Sequence, residues 1–263
     1  MSAPMADQFI SDHGLEVSRG GQGARLAVLL HGLGANRAVW SRMTEIADRH
    51  WDGRWLAPDL RGHGGSPARG PFGYAAHAAD IADLIKDDDP AKTVLVGHSF
   101  GGVIAALAGS GLYGPRVHDT AAFGVKIVWT ADETAKAREL AARPAKTFAT
   151  REEAIERALK LAGLHGLADP ASTVAANGIV AEGAQWRVAM DPRVFGAVGP
   201  LVPDLLRLAP NLRLAAGDKD TMVSLADMRA VDPAAWTIAG AGHNVHWENP
   251  VAVWDFVKSN KDA

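Results

Sequence analysis

Ser99 stands in Gly97-His98-Ser99-Phe100-Gly101, directly after the apolar run Val94-Leu95-Val96 and ahead of a helix-forming stretch. A strand, Gly-x-Ser-x-Gly and a helix in that order form a nucleophile elbow, a turn that lifts the serine hydroxyl above a sheet. A serine hydroxyl is a weak nucleophile at neutral pH until a base takes its proton, so the turn must hold Ser99 within reach of one. Gly97 and Gly101 carry no Cβ to obstruct so tight a turn. The chain has no cysteine, which excludes disulfides, thiolate catalysis and cysteine-ligated metal.

The elements that would position Ser99 alternate between strand and helix. Residues 12–18 alternate weakly as an edge strand, with Gly20-Gly21-Gln22-Gly23 as the turn after it. That glycine cluster precedes a strand, whereas a phosphate-cradling loop needs strand, loop and helix N-terminus in that order. A buried strand over 25–30 ends in His31-Gly32-Leu33-Gly34, and Asn36 caps a helix to about residue 49. The strand at 55–58 runs into Asp59-Leu60-Arg61-Gly62-His63-Gly64-Gly65-Ser66, and a helix over 75–87 precedes the strand at 92–96. The helix after Ser99 runs to about residue 112, with Gly101, Gly102, Ala105 and Ala108 letting it lie close to the sheet. An apolar strand follows over 120–129.

Three consecutive helices without strands are predicted next, at 132–142, 150–162 and 169–183. Thr150 and Glu153 have capping-box spacing, Gly163 fits a helix stop, and Asp169-Pro170 sets a capping acid before a first-turn proline. Strands return at 212–217 and 235–239, and a helix over 250–258 closes the chain. The reading is an α/β fold, a mostly parallel sheet covered by helices on both faces, with an inserted helical cap. Residues 1–131 and 203–263 form the core, and 132–202 the cap.

Across 263 residues, 48% hydrophobic content supports a substantial core. A net charge of −3 with no long basic run gives no footprint for nucleic acid or an anionic membrane, so the expected partner is a small molecule, uncharged and partly apolar. From Thr93 to Pro115 no Asp, Glu, Lys or Arg occurs, yet the glycines and Ser99 in its middle fit a buried strand and helix better than a membrane span. Residues 1–11 include Asp7 and no apolar core, so no signal peptide is read there and the expected location is cytoplasmic. The expected assembly is a monomer or homodimer.

Four separated motifs, His31 to Gly34, Asp59 to Ser66, Gly97 to Gly102, and Gly217-Asp218-Lys219-Asp220 with Gly242-His243, occur in an order that resembles the α/β-hydrolase fold with a helical cap, of the esterase, lactonase and C–C hydrolase type. The resemblance covers nearly the whole chain. It implies that Ser99 is the nucleophile and that His243, in the loop after the last strand, is the base. It further implies Asp220, fourth residue of a Gly-x-x-Asp segment, as the acid that orients His243. Asp218, Asp132 and Glu133 are the rival acids, and His246 lies three residues beyond the base. Backbone N–H groups of Leu33 and Phe100 match the positions that hold the oxyanion.

His31, Asp59, Arg61, His63 and His98 sit in loop motifs and are read as braces for those loops. No cofactor is implied, and no His-x-His or helix-borne metal-ligand spacing appears. Trp129, Phe148, Trp186, Met190 and Phe195, in or beside the cap, are the candidates for an apolar acyl pocket. A serine nucleophile sets aside the dehalogenase and epoxide-hydrolase branches, which use aspartate there. Cleavage of a small ester or lactone leads; C–C hydrolysis, perhydrolysis and cofactor-free oxygenation use the same residues, and a non-catalytic ligand receptor is a different class.

Overall fold

The computed structural model describes residues 7–259; residues 1–6, part of the stretch read as lacking a leader, lie outside the described residues. Eight strands form the main sheet: β1 (Asp7–Ile10), β2 (Glu16–Gly21), β3 (Leu26–Leu30), β4 (Arg54–Pro58), β5 (Thr93–His98), β6 (Asp119–Phe123), β10 (Leu212–Gly217) and β11 (Trp236–Ile238). Their order is β1-β2-β4-β3-β5-β6-β10-β11. Only β1–β2 and β2–β4 pair antiparallel among these, so the sheet is parallel from β4 onward.

Every residue of β3 and of β5 is buried. Unbroken apolar strands are what a sheet covered on both faces requires. Alternation then deals side chains to two cores. Val28, Leu30 and Leu95 pack with Ile81, Val103, Ile104 and Leu107 on one face. Ala27, Leu29, Val94, Val96 and Phe123 pack with Trp40, Met43, Trp254 and Phe256 on the other. Fully burying each Leu, Ile or Val contributes about 1.5–3 kcal/mol, which fixes the strand that carries Ser99.

Besides the strand read over 120–129, which ends at Phe123, the sequence reading departs from the structure in three places. Gly20 and Gly21 continue β2 instead of turning, and β1 covers that strand, so residues 12–18 are not the edge. A Cβ at Gly20 would sit 2.6 Å from the Trp55 ring, so this glycine admits the indole. The helix predicted from Asn36 is broken into Arg37–Trp40, Ser41–Thr44 and Ala47–His50, although the Asn36 side chain does cap it, accepting from Ala38 N at 3.0 Å. Thr44 Oγ1 donates back to Ser41 O at 3.1 Å, the side-chain competition that makes Ser and Thr poor helix interiors.

The third departure corrects the cap, which is not wholly helical. Its helices are Ala131–Ala142, Arg151–Leu161, the short Thr173–Ala176 and the 3-10 helix Pro192–Ala197, beside a three-stranded sheet of β7 (Thr147–Phe148), β8 (Ile179–Glu182) and β9 (Gln185–Val188) in the order β7-β9-β8. Thr150 and Glu153 form the expected capping box, and Gly163 has φ +70 beyond the helix end. Where a helix over 169–183 is predicted, Asp169 Oδ1 instead accepts from Ala171 N at 2.8 Å in a turn. Antiparallel β8 and β9 pair Glu182 with Gln185, leaving the two-residue turn Gly183-Ala184, with Gly183 at φ +61. No helix among the described residues is long and apolar enough to cross a membrane.

Candidate active site

Ser99 follows β5 with φ 51 and ψ −114, a conformation that L side chains rarely adopt. The neighbouring glycines make it attainable. A Cβ on Gly97 would lie 2.4 Å from Gly101 O, and one on Gly101 would lie 2.2 Å from Leu30 O. Ser99 N donates to Phe123 O at 2.8 Å and Gly102 N to Ser99 O at 3.0 Å, so the turn is pinned on both sides. Phe100 opens the buried helix Phe100–Gly109, whose first-turn N–H groups and positive dipole end face the site.

His243 lies in the loop after β11, and its Nδ1 donates to Asp220 Oδ2 at 2.8 Å. The Asp220 side chain is fully buried, and its Oδ1 accepts from Met222 N at 2.8 Å, so the carboxylate is held from two sides. With the Nδ1 proton given to Asp220, the imidazole keeps its lone pair on Nε2, where it can accept a proton. The His243 carbonyl is fixed in turn by His98 Nε2 at 3.0 Å. Asp218 is exposed and accepts from Gly240 N at 2.8 Å, while Asp132 is exposed on the first turn of its helix. Glu133 is committed to its capping box and to Lys126. His246 is wholly buried against Trp40 and His98, and burial pushes its pKa down to about 3.

Ser99, His243, Leu33 and Phe100 line one cavity of 290 Å³. Trp129 and Phe195 also line it; Phe148, Trp186 and Met190 do not, which corrects that part of the pocket reading. Phe148 and Trp186 are cross-strand partners in the cap sheet and pack on the core. Met190, 5% exposed, bridges antiparallel to His63. Bulky apolar type drew attention to these residues, but type does not say which way a side chain points. Tyr74, Val103, Val125, Leu161 and Met222 complete the apolar wall and were not foreseen. The signal for Leu161 was available, since it is the last residue of an amphipathic helix ahead of the Gly163 stop.

The brace residues order the loop that carries Leu33. His31 Nε2 accepts from Leu60 N at 3.0 Å and its Nδ1 donates to Gly32 O at 2.9 Å. His63 Nε2 accepts from Gly34 N at 3.2 Å and its Nδ1 donates to Arg61 O at 3.2 Å. Burial depresses both, to about 4 for His31 and about 3 for His63, so each is a neutral ring whose two nitrogens play opposite parts. Buried Asp59 accepts from Arg37 N at 2.6 Å and Gly65 N at 3.0 Å, and it pairs with the Arg37 guanidinium. Arg61 forks onto Asp80 through Nε and Nη2 at 2.6 and 2.5 Å.

The cap closes over this frame through core groups bonded to its main chain. Asn244 Nδ2, next to His243, donates to Ala162 O at 3.3 Å and Gly163 O at 2.9 Å. Asn36 Nδ2 donates to Val174 O at 2.9 Å and Trp247 Nε1 to Leu167 O at 3.3 Å. Gly64 N donates to Ala189 O at 2.7 Å, and Asp191 N donates back to Gly62 O at 2.8 Å. Gly34, at φ +77, has no side chain because Leu161 Cγ lies 2.4 Å from where its Cβ would be.

Comparison with known proteins agrees with this architecture. A pimeloyl-[acyl-carrier protein] methyl ester esterase of Vibrio campbellii is 42% identical over 85 residues, 32% of this chain and 31% of that protein. The chain spans 30–31% of the length of the first curated relatives it matches. An esterase of Mycobacterium tuberculosis superposes with a TM-score of 0.75 at 18% identity, covering 99% of this chain and 92% of that one. The thioesterase domain of the curacin biosynthetic pathway superposes with a TM-score of 0.75 at 17% identity, covering 97% and 99%. Residues 27–256 match the model of the alpha/beta hydrolase family, and with the elbow, the parallel sheet and the loop order described above, the chain belongs to that family.

Proposed function

We propose that this chain is a serine hydrolase that cleaves a small carboxylic ester or lactone through an acyl-enzyme. The observation that carries this reading is the 2.8 Å bond from His243 Nδ1 to buried Asp220, on an imidazole that shares one cavity with Ser99. In this reading His243 takes the Ser99 proton as the hydroxyl oxygen attacks the carbonyl carbon, and Asp220 stabilises the imidazolium that forms. The tetrahedral oxyanion is held by the N–H groups of Leu33 and Phe100, the second at a helix N-terminus. Collapse of the intermediate breaks the acyl C–O bond, and His243 returns the proton to the leaving alcohol. Water then repeats the sequence on the acyl-enzyme, with His243 as base, and frees the acid and Ser99. The relative named as a methyl ester esterase supports an ester over a C–C bond.

The test uses purified protein with 4-nitrophenyl butyrate, a short activated ester. Wild type is expected to release nitrophenolate, and Ser99→Ala to lose at least about two orders of magnitude in kcat/KM. Equal turnover by both proteins would overturn the serine mechanism.

A further inference from the structure

The cavity wall carries two basic side chains that the net charge of the chain does not reveal. Lys126 and Lys160 both line it, and no aspartate or glutamate is among its lining residues. The two lysines arrive from different parts of the molecule. Lys126 follows β6 in the core, and its ammonium lies 5.2 Å from the ring centre of Trp129, itself part of the wall. Lys160 is carried by the cap helix Arg151–Leu161, one residue before Leu161.

Each ammonium is tethered by a carboxylate outside the cavity, Lys126 by Glu133 and Lys160 by Glu156. The Lys160 pair is exposed and the Lys126 pair half-buried, and ion pairs open to water hold their partners weakly. An ammonium has three donors, so a tethered lysine can still receive a second anion. The rest of the wall is mostly apolar and includes Val103, Val125, Trp129 and Phe195. Apolar walls lower the local dielectric and lengthen the reach of the two positive charges.

Building on the serine-hydrolase reading, we propose that the substrate is an ester whose acyl chain ends in a carboxylate, with its methylenes on the apolar wall and its carboxylate on Lys126 and Lys160. Hydrolysis of such a half-ester consumes one water, breaks the acyl C–O bond, and yields an alcohol, a dicarboxylate and one proton. The local charge thus selects an anionic acyl group where the overall charge of −3 suggested an uncharged partner.

The experiment compares 4-nitrophenyl hexanoate with mono-4-nitrophenyl adipate, which differ in one terminal carboxylate. Wild type is expected to favour the adipate ester in kcat/KM by about tenfold or more, a margin of one well-placed charge interaction. That ratio should fall toward one in Lys126→Met/Lys160→Met and shrink in 0.5 M salt, where the Debye length falls to about 4 Å. No preference in wild type, or a preference unchanged in the double variant, would overturn the proposal. Calorimetry with adipate itself separates this proposal from the hydrolase reading. If neither ester is turned over, the hydrolase reading fails, while adipate binding that weakens about tenfold in the double variant still supports the anion site, and equal binding overturns it.

Discussion

Among the residues around His243, the two carboxylates Asp218 and Asp220 make the sharpest contrast, because they are two positions apart and have opposite environments. Asp220 is buried and bonded to the imidazole; Asp218 is exposed and bonded to a loop amide. Asp220→Asn should therefore lose about 10³- to 10⁴-fold in kcat, since an amide neither holds the right tautomer nor stabilises the imidazolium. Asp218→Asn should change kcat less than about threefold, and steady-state kinetics on one activated ester reads both. A reversed result would move the acid to Asp218. The turn that holds Ser99 was legible because its neighbours are glycines at fixed spacing, whereas the bond between Asp220 and His243 was foreshadowed only by the order of loop motifs. Trp129 and Phe195 were legible only by type, as were Phe148, Trp186 and Met190, which point elsewhere. Side-chain direction depends on the strand register of the cap, and register is set by pairings that lie outside any local window.

At the scale of elements, the cap helix Arg151–Leu161 ends where the cavity begins, and its end is held by one side chain. Asn244 is 2% exposed and donates to the two carbonyls just past the helix, Ala162 O and Gly163 O, so removing its amide takes one donor from both. Asn244→Ala is expected to cost about 0.5–1.5 kcal/mol in denaturant unfolding. Its KM should rise more than its kcat falls, because Leu161, Ala162 and Gly163 are wall and not chemistry. Unchanged stability with unchanged KM would show that the contact holds nothing. The buried strands and the closing helix Pro250–Lys258 were readable from local pattern, since continuous apolar runs and 3.6-residue spacing survive without tertiary help. The β8–β9 hairpin was not read, although Gly183 between two alternating runs is its local signal. Alanines at 171, 175, 176 and 181 favour helix by propensity, and over 179–182 the pairing of β8 with β9 outweighs that preference.

For the molecule as a whole, the buried histidines tie stability to pH. Burial lowers His31 to about 4, and His63 and His246 to about 3, against an ordinary value of 6.5. Between those values and 6.5 the unfolded chain binds more protons than the folded one, so stability rises with pH across that window and falls as pH drops through it. Each histidine contributes a slope of up to about 1.4 kcal/mol per pH unit. Thermal unfolding should therefore shift to lower temperature from pH 7 to pH 5, and His246→Phe should flatten the shift; a melting temperature that holds constant over that range would contradict it. One last consequence follows from how the core grips the cap. Ala162, Gly163, Leu167, Val174 and Ala189 are all held by their backbone carbonyls, which any residue supplies. The cap sequence is therefore free to drift over generations while its seat on the core stays fixed, so new substrate preferences can be inherited without rebuilding the catalytic frame.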